Sequence, residues 1–220
     1  MRTKTTLFYL LAALLGGCVP IFSINPLYTE KDLVFKEELL GLWADPNDPE
    51  GTWEFKRDDE SENAYKLTVD IGDDAKGLFD AHLLNLKGRL FLDVYPAQEG
   101  IEQTMEGLEE KVKDPNSTVW PLNLAFLVPV HTFIKIDSIE PMLKMRLTDD
   151  DLMGKLLRHD PNAVKHAVLD EDRVLLTAPT KELQAFVLKY ADGDKLFEKP
   201  LALKRTKAKR PKKTDDKPAK

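Results

Sequence analysis

The chain has a single cysteine in 220 residues, so it can form no intramolecular disulfide and no cysteine-built zinc cluster. No apolar run approaches the ~20 residues that a membrane-spanning helix needs. Ser23, Ser61, Ser117 and Ser138 lie outside any Gly-x-Ser-x-Gly context, and neither a phosphate-cradling glycine loop nor a His-Glu-x-x-His helix occurs. His159 and His166 are seven residues apart, but Pro161 breaks the helix that would align them, so both read as surface residues. These absences exclude polytopic membrane proteins, disulfide scaffolds, collagen-like repeats and hydrolases built on a nucleophile elbow. No repeat or linker divides the chain, whose length suits one domain with short appendages.

What is present begins at the amino terminus. Arg2 and Lys4 precede the uncharged apolar run from Leu7 to Leu15, which has the length of a signal-peptide core. Leu15-Gly16-Gly17-Cys18 follows at once and resembles the lipobox of bacterial lipoproteins. Small side chains before the cysteine fit a peptidase cleft, and the thiol is the nucleophile that takes up diacylglycerol. The resemblance implies a signal peptide over residues 1–17, cleavage between Gly17 and Cys18, and acylation of Cys18 by several fatty chains, with no other cofactor. Two or more chains anchor stably, at about 0.8 kcal/mol per buried methylene. Bacterial sorting retains lipoproteins at the inner membrane when aspartate follows the cysteine. Val19 stands there, so the same resemblance implies the outer membrane, facing the periplasm. Ile24-Asn25-Pro26-Leu27-Tyr28-Thr29 with Leu33-Val34-Phe35 is similar to the start of uncharacterised bacterial lipoproteins. Residues 18–37 are expected to form the lipidated cysteine and a partly packed tether.

Without Arg2 and Lys4 the chain holds 30 basic and 38 acidic residues, a net charge of about −8. Residues 204–220 alone carry about +7, and this nearly apolar-free stretch is expected to be a disordered basic tail. Either it rests on an anionic envelope surface, lipid headgroups or cell-wall polymer, or it is a solvated extension. Nucleic acid is not the expected partner, because the body is acidic and export removes the chain from it.

Residues 38–203 carry the period-2 patterning of a mainly β domain. Strands are expected over Leu42–Ala44, Thr52–Arg57, Ala64–Asp70, Leu78–Leu86, Arg89–Tyr95, Val128–Ile136, Met142–Leu147 and Arg173–Thr177, with Lys87-Gly88 as a two-residue hairpin turn. About eight short strands at this spacing predict an antiparallel barrel or sandwich. Three helices accompany them. One runs from Ile101 to Lys113, a second follows the capping box Thr148-Asp149-Asp150-Asp151, and a third follows Thr180 and carries Leu183, Phe186, Val187 and Tyr190 on one stripe.

Gly41-Leu42-Trp43 matches the Gly-x-Trp signature of the lipocalin-like (calycin) barrels, and the element order is similar to theirs. The resemblance implies an antiparallel barrel of about eight strands with two or three peripheral helices, and an indole across its closed end beneath a basic side chain. Arg173 and Arg205 both suit that partner role. The segment between Tyr95 and Leu127 is long for an up-and-down barrel and is expected to cover a mouth. Trp43, Trp53, Tyr65 and Phe79 suit either a ligand cavity or a packed core, and the core is the commoner role of aromatics at alternating positions.

If Lys87-Gly88 is the turn, His82 faces Asp93 across the hairpin, with His131 on the next strand. An aspartate can orient a histidine as a base or metal ligand, while a structural pair inside the barrel needs no further partner. Two functional readings follow. The first is a non-enzymatic, lipid-anchored envelope protein whose barrel binds a small apolar ligand or a protein partner. The alternative is an envelope hydrolase or metal-binding protein using His82 and Asp93.

Overall fold

The computed structural model describes residues 21–71, 76–113, 127–169, 173–193 and 195–207; the lipobox with Gly17 and Cys18, and the chain beyond residue 207, lie outside it. Among the described residues the architecture is a closed eight-stranded antiparallel barrel with three α-helices and a small satellite sheet. Its strands are β2 (Gly41–Asp45), β3 (Asp48–Arg57), β4 (Tyr65–Asp70), β5 (Lys76–Leu86), β6 (Arg89–Pro96), β7 (Thr132–Ser138), β8 (Leu143–Arg146) and β11 (Leu201–Thr206). The first seven meander as sequential neighbours, and β11 closes the sheet between β8 and β2. Closure removes the exposed edges that an open sheet would present. Helix α1 (Gln98–Lys113) joins β6 to the chain leading into β7, while α2 (Asp150–His159) and α3 (Thr180–Tyr190) lie between β8 and β11.

The alternation along the strands divides the molecule into two cores. Inward positions Trp43, Phe55, Tyr65, Leu67, Leu83, Leu92, Ile134, Met145 and Leu203 fill the barrel as a buried cluster. The interior is therefore packed with side chains, as small barrels generally are. The outward positions Leu84, Leu86, Phe91 and Phe133 form a second core with Ile21, Leu27, Met153, Leu183 and Phe186, under α2, α3 and the amino-terminal segment.

The β5–β6 hairpin turns at Lys87 (φ 51°) and Gly88 (φ 84°), two successive left-handed residues, with the Asn85 side chain accepting from the Gly88 N–H at 2.8 Å. That geometry matches the twist of the flanking strands and fixes His82 opposite Asp93.

Several expectations need correction. The strand at Arg173–Thr177 exists as β10 (Val174–Leu176), but it pairs with β1 (Phe22–Ser23) and β9 (His166–Val168) outside the barrel. The eighth barrel strand is β11, which runs into the expected disordered tail: Lys204, Arg205 and Thr206 pair with Ala44, Trp43 and Leu42. The charges conceal an ordinary alternation, in which Leu201, Leu203 and Arg205 share one face. The expectation of a partly packed segment needs no such correction over residues 21–37, where Ile21, Ser23 and Leu27 are buried while Ile24, Glu30 and Lys31 are exposed. Ile21 and Leu27 are fully buried, and the Ile21 N–H donates to the Thr148 hydroxyl at 3.0 Å. Thr148 is thereby occupied, and Asp149 caps α2 instead, accepting from the Leu152 N–H at 3.0 Å. Thr180 is the first residue of α3, and its hydroxyl donates to the Pro26 carbonyl at 2.8 Å.

The two termini of the body lie apart. Ile21 sits beside Thr148, which bridges to Phe197, and β11 then carries the chain away over six residues, about 20 Å at strand rise. Among the described residues no helix is long and apolar enough to cross a membrane.

Candidate functional site

The candidate pair lies on the outer face of the barrel, not inside it. Asp93 shares its face with Phe91, and across the β6–β7 ladder with Phe133, both members of the outer core. The expected position inside the barrel is thereby corrected: both faces of the β5–β6 hairpin are apolar, and the one that carries Asp93 is covered from outside. The cover is the amino-terminal segment.

Asp93 is 0% exposed, and both its oxygens are engaged. Oδ2 accepts from the Leu27 N–H at 2.7 Å, and Oδ1 contacts His131 Nδ1 at 2.7 Å. A carboxylate only accepts, which makes Nδ1 the protonated nitrogen of His131 in this pairing. The backbone of His131 also exchanges two hydrogen bonds with Ser23, each 2.9 Å. Asp93 and His131 together thus fasten the segment from Ser23 to Leu27 against β6 and β7. Ser23 is brought next to His131, yet its hydroxyl donates to the Asn25 carbonyl at 2.7 Å and accepts from the Asn25 N–H at 3.2 Å.

His82 is Asp93's neighbour by register but not its hydrogen-bond partner. Its ring stacks on Tyr28, centroids 4.4 Å apart at 23°, and its buried Nδ1 has no hydrogen-bond partner among the described residues. Burial holds the His82 pKa below its ordinary value, and the carboxylates of Asp93 and Asp80 only partly counter it. Burial also raises the Tyr28 hydroxyl, with the same two carboxylates adding to it. His131 packs against Tyr95, centroids 4.5 Å apart. Tyr28, Tyr95 and Ser23 are members of the cluster that the sequence reading did not single out. Tyr28 and Ser23 are revealed by the pairing of a segment 66 residues upstream with Asp93, whereas Tyr95 meets His131 along the β6–β7 ladder.

A pH dependence follows from His82. Below about pH 6.5 the unfolded chain binds a proton there that the folded chain resists, so stability declines as the pH falls through that region. In His82→Phe, which keeps the stack on Tyr28, urea midpoints between pH 8 and 5 are expected to fall less steeply. At neutral pH the variant should gain about 1 kcal/mol, because a buried unpaired nitrogen is gone.

Gly41 and Trp43 occupy a second constellation, at the Gly41 end of the barrel. Trp43 is 0% exposed and donates from Nε1 to the Leu39 carbonyl at 2.9 Å. Of the two arginines suited to cover it, Arg205 does so: its guanidinium carbon lies 4.4 Å from the Trp43 ring. The same guanidinium donates to the carbonyls of Leu40 and of Glu38 (2.7 Å) and to Glu140 (2.7 Å). Glycine is needed at position 41, where φ is +118° and a Cβ would stand 2.7 Å from Arg205 Nη1. Tyr65 closes the same end by pairing with both backbone groups of Lys36, and burial pushes its hydroxyl pKa up to about 12.

Phe79 belongs to the packed barrel core, but it also lines an apolar groove of about 420 Å3 with Pro96, Ile101, Met105, Leu127 and Val128. Apolar lining with few polar groups is the usual character of a small-molecule site. Among the described residues no three His, Cys, Asp or Glu side chains group closely enough to hold a metal ion. No protein-family model, no curated protein and no solved structure matches this chain.

Proposed function

We propose that the protein is a lipid-anchored lipoprotein of the bacterial envelope, exported by its signal peptide, acylated on Cys18 and non-enzymatic. The observation that carries the reading is the packing of Ile21, fully buried three residues after the cysteine of the lipobox. The chain is thus part of the globule from Ile21 onward, within three residues of the expected acylation point. An anchor at Cys18 then holds the body close to the bilayer. The reading places the protein on the periplasmic side of the outer membrane, following Val19.

The apolar groove beside Phe79 and α1 suits a small apolar ligand, since the barrel interior is filled by its own side chains. The basic tail leaves from the end of β11, away from Ile21, which favours the anionic cell-wall polymer over the anchoring bilayer as its surface. Against the hydrolase or metal-binding reading, both oxygens of Asp93 are spent on Leu27 and His131, and the Ser23 hydroxyl is spent on Asn25.

The test is mass spectrometry and fractionation of the full-length chain made in a bacterial host. Protein extracted with detergent is expected to begin at residue 18 and carry the mass of several acyl chains. Cys18→Ala is expected to lose that mass and leave the membrane fraction, whereas truncation after Lys207 should stay in it. Native protein that retains Met1, or that partitions into buffer without detergent, would contradict the proposal.

A further inference from the structure

The satellite sheet carries two large aliphatic side chains on the surface, Val168 at 67% and Leu169 at 57% exposure. Scattered surface aliphatics are common, but the register gives this pair a particular place. Strand β1 runs parallel to β10, with Phe22 beside Leu175, and β10 runs antiparallel to β9, with Leu175 beside Ala167 and Val174 beside Val168. One step along, Ile21, Val174 and Val168 fall in a single row across the three strands. At about 4.8 Å per strand, Val168 lies about 10 Å from Ile21. The Leu169 N–H donates to the Arg173 carbonyl at 2.9 Å, which adds a further row on the same side.

Direction matters as much as distance. Following β1 backwards from Phe22 to Ile21 leads toward Cys18, and following β9 forwards from Ala167 to Leu169 leads the same way. Cys18 is three residues from Ile21, so its Cα lies at most about 11 Å from that of Ile21. The residue that the lipobox marks for acylation is thus tethered within reach of the sheet edge that carries Val168 and Leu169.

We infer that the β9–β10 hairpin is a second membrane contact, resting Val168 and Leu169 on the lipid interface beside the acyl chains of Cys18; this rests on the lipid-anchored reading above. The contact fixes how the barrel stands on the bilayer, which acyl chains on a single residue leave open. In sequence Asp170, Glu171 and Asp172 follow Leu169 directly. Their charge selects the lipid: a zwitterionic interface accepts the hairpin, and an anionic one repels it.

Acylation consumes the thiol of Cys18, so a cysteine introduced elsewhere is the only free thiol of the mature protein. Val168→Cys, Leu169→Cys and, as reference, Lys56→Cys on the exposed part of β3 are labelled with an environment-sensitive dye. Each acylated protein is reconstituted in phosphatidylcholine vesicles containing spin-labelled lipid. Dyes at positions 168 and 169 are expected to be quenched about threefold more strongly than the dye at 56. The difference should shrink when a third of the lipid is phosphatidylglycerol. Equal quenching at all three positions in vesicle-bound protein overturns the hairpin contact and leaves the anchor standing. Protein that lacks acyl mass and fails to bind vesicles overturns the anchor itself. Shielding of positions 168 and 169 without vesicles, at concentrations where the protein dimerises, assigns the surface to a second copy and overturns the inference.

Discussion

Asp93→Ala is expected to lower the folding free energy by about 3–5 kcal/mol, the cost typical of breaking a buried, hydrogen-bonded pair from one side. The wild-type carboxylate is 0% exposed and answers two donors, the Leu27 N–H and His131 Nδ1, both at 2.7 Å. Alanine leaves the Leu27 N–H buried without an acceptor and frees His131, and each orphaned donor costs about 1–3 kcal/mol. The damage should be local before it is global. Ser23 to Leu27 is fastened to the barrel by this clamp, by the backbone exchange with His131, and by Thr180 and Gln184 of α3 at the Pro26 and Leu27 carbonyls. Amide exchange at residues 21–28 should therefore accelerate more than exchange in β3 and β4. Asp93→Asn separates the clamp from a charge-dependent role. Its Oδ1 still serves Leu27, and His131 can change tautomer to accept from the new amide, so a loss of only about 1–2 kcal/mol is expected. Urea denaturation at constant m-value measures both. A loss under 1 kcal/mol in the alanine variant would show that the segment is held by its apolar residues alone.

The same clamp shows where the sequence was legible and where it was not. Strict period-2 alternation, as in Tyr65, Leu67 and Val69, placed seven barrel strands, and the Lys87-Gly88 turn placed His82 opposite Asp93 in the register observed. Local pattern and turn chemistry suffice for neighbours along a meander. They do not say which face of a hairpin turns inward when both faces are apolar, as in Leu83-Leu84 and Phe91-Leu92. One face meets the barrel core and the other meets α2, α3 and the amino-terminal segment. The pattern places His131 on the next strand, but its bond to Asp93 spans 38 residues, with α1 in between, and no local signal predicts it. The last strand was lost for a different reason. Lys204 and Arg205 read as the start of a solvated charge run, although Leu201, Leu203 and Arg205 keep the strand period. A guanidinium at an inward position makes sense only with Trp43 beneath it.

That stacked corner carries the other large expected effect. Trp43→Ala should destabilise the fold by about 3–5 kcal/mol, the range for truncating a buried tryptophan. The indole is fully buried in the barrel core, and its N–H holds the Leu39 carbonyl at the end of the single turn Glu37–Leu39. Trp43→Phe keeps most of the volume and loses that bond, so about 1–2 kcal/mol is expected. Arg205 tests whether the strand end acts as a lid or merely follows the sheet. Its side chain is 44% exposed, so the stack on Trp43 is worth only about 0.5–1 kcal/mol by itself. Its forked donors also reach the carbonyls of Glu38 and Leu40, which links the end of β11 to the turn before β2. Arg205→Lys should recover little of the loss in Arg205→Ala, because one ammonium cannot reproduce a planar fork. A double-mutant cycle of Trp43→Leu with Arg205→Ala is expected to return a coupling of about 1 kcal/mol. Strict additivity would mean that β11 closes the barrel through its backbone ladder and through Leu201 and Leu203, with Arg205 resting on a corner that is already complete.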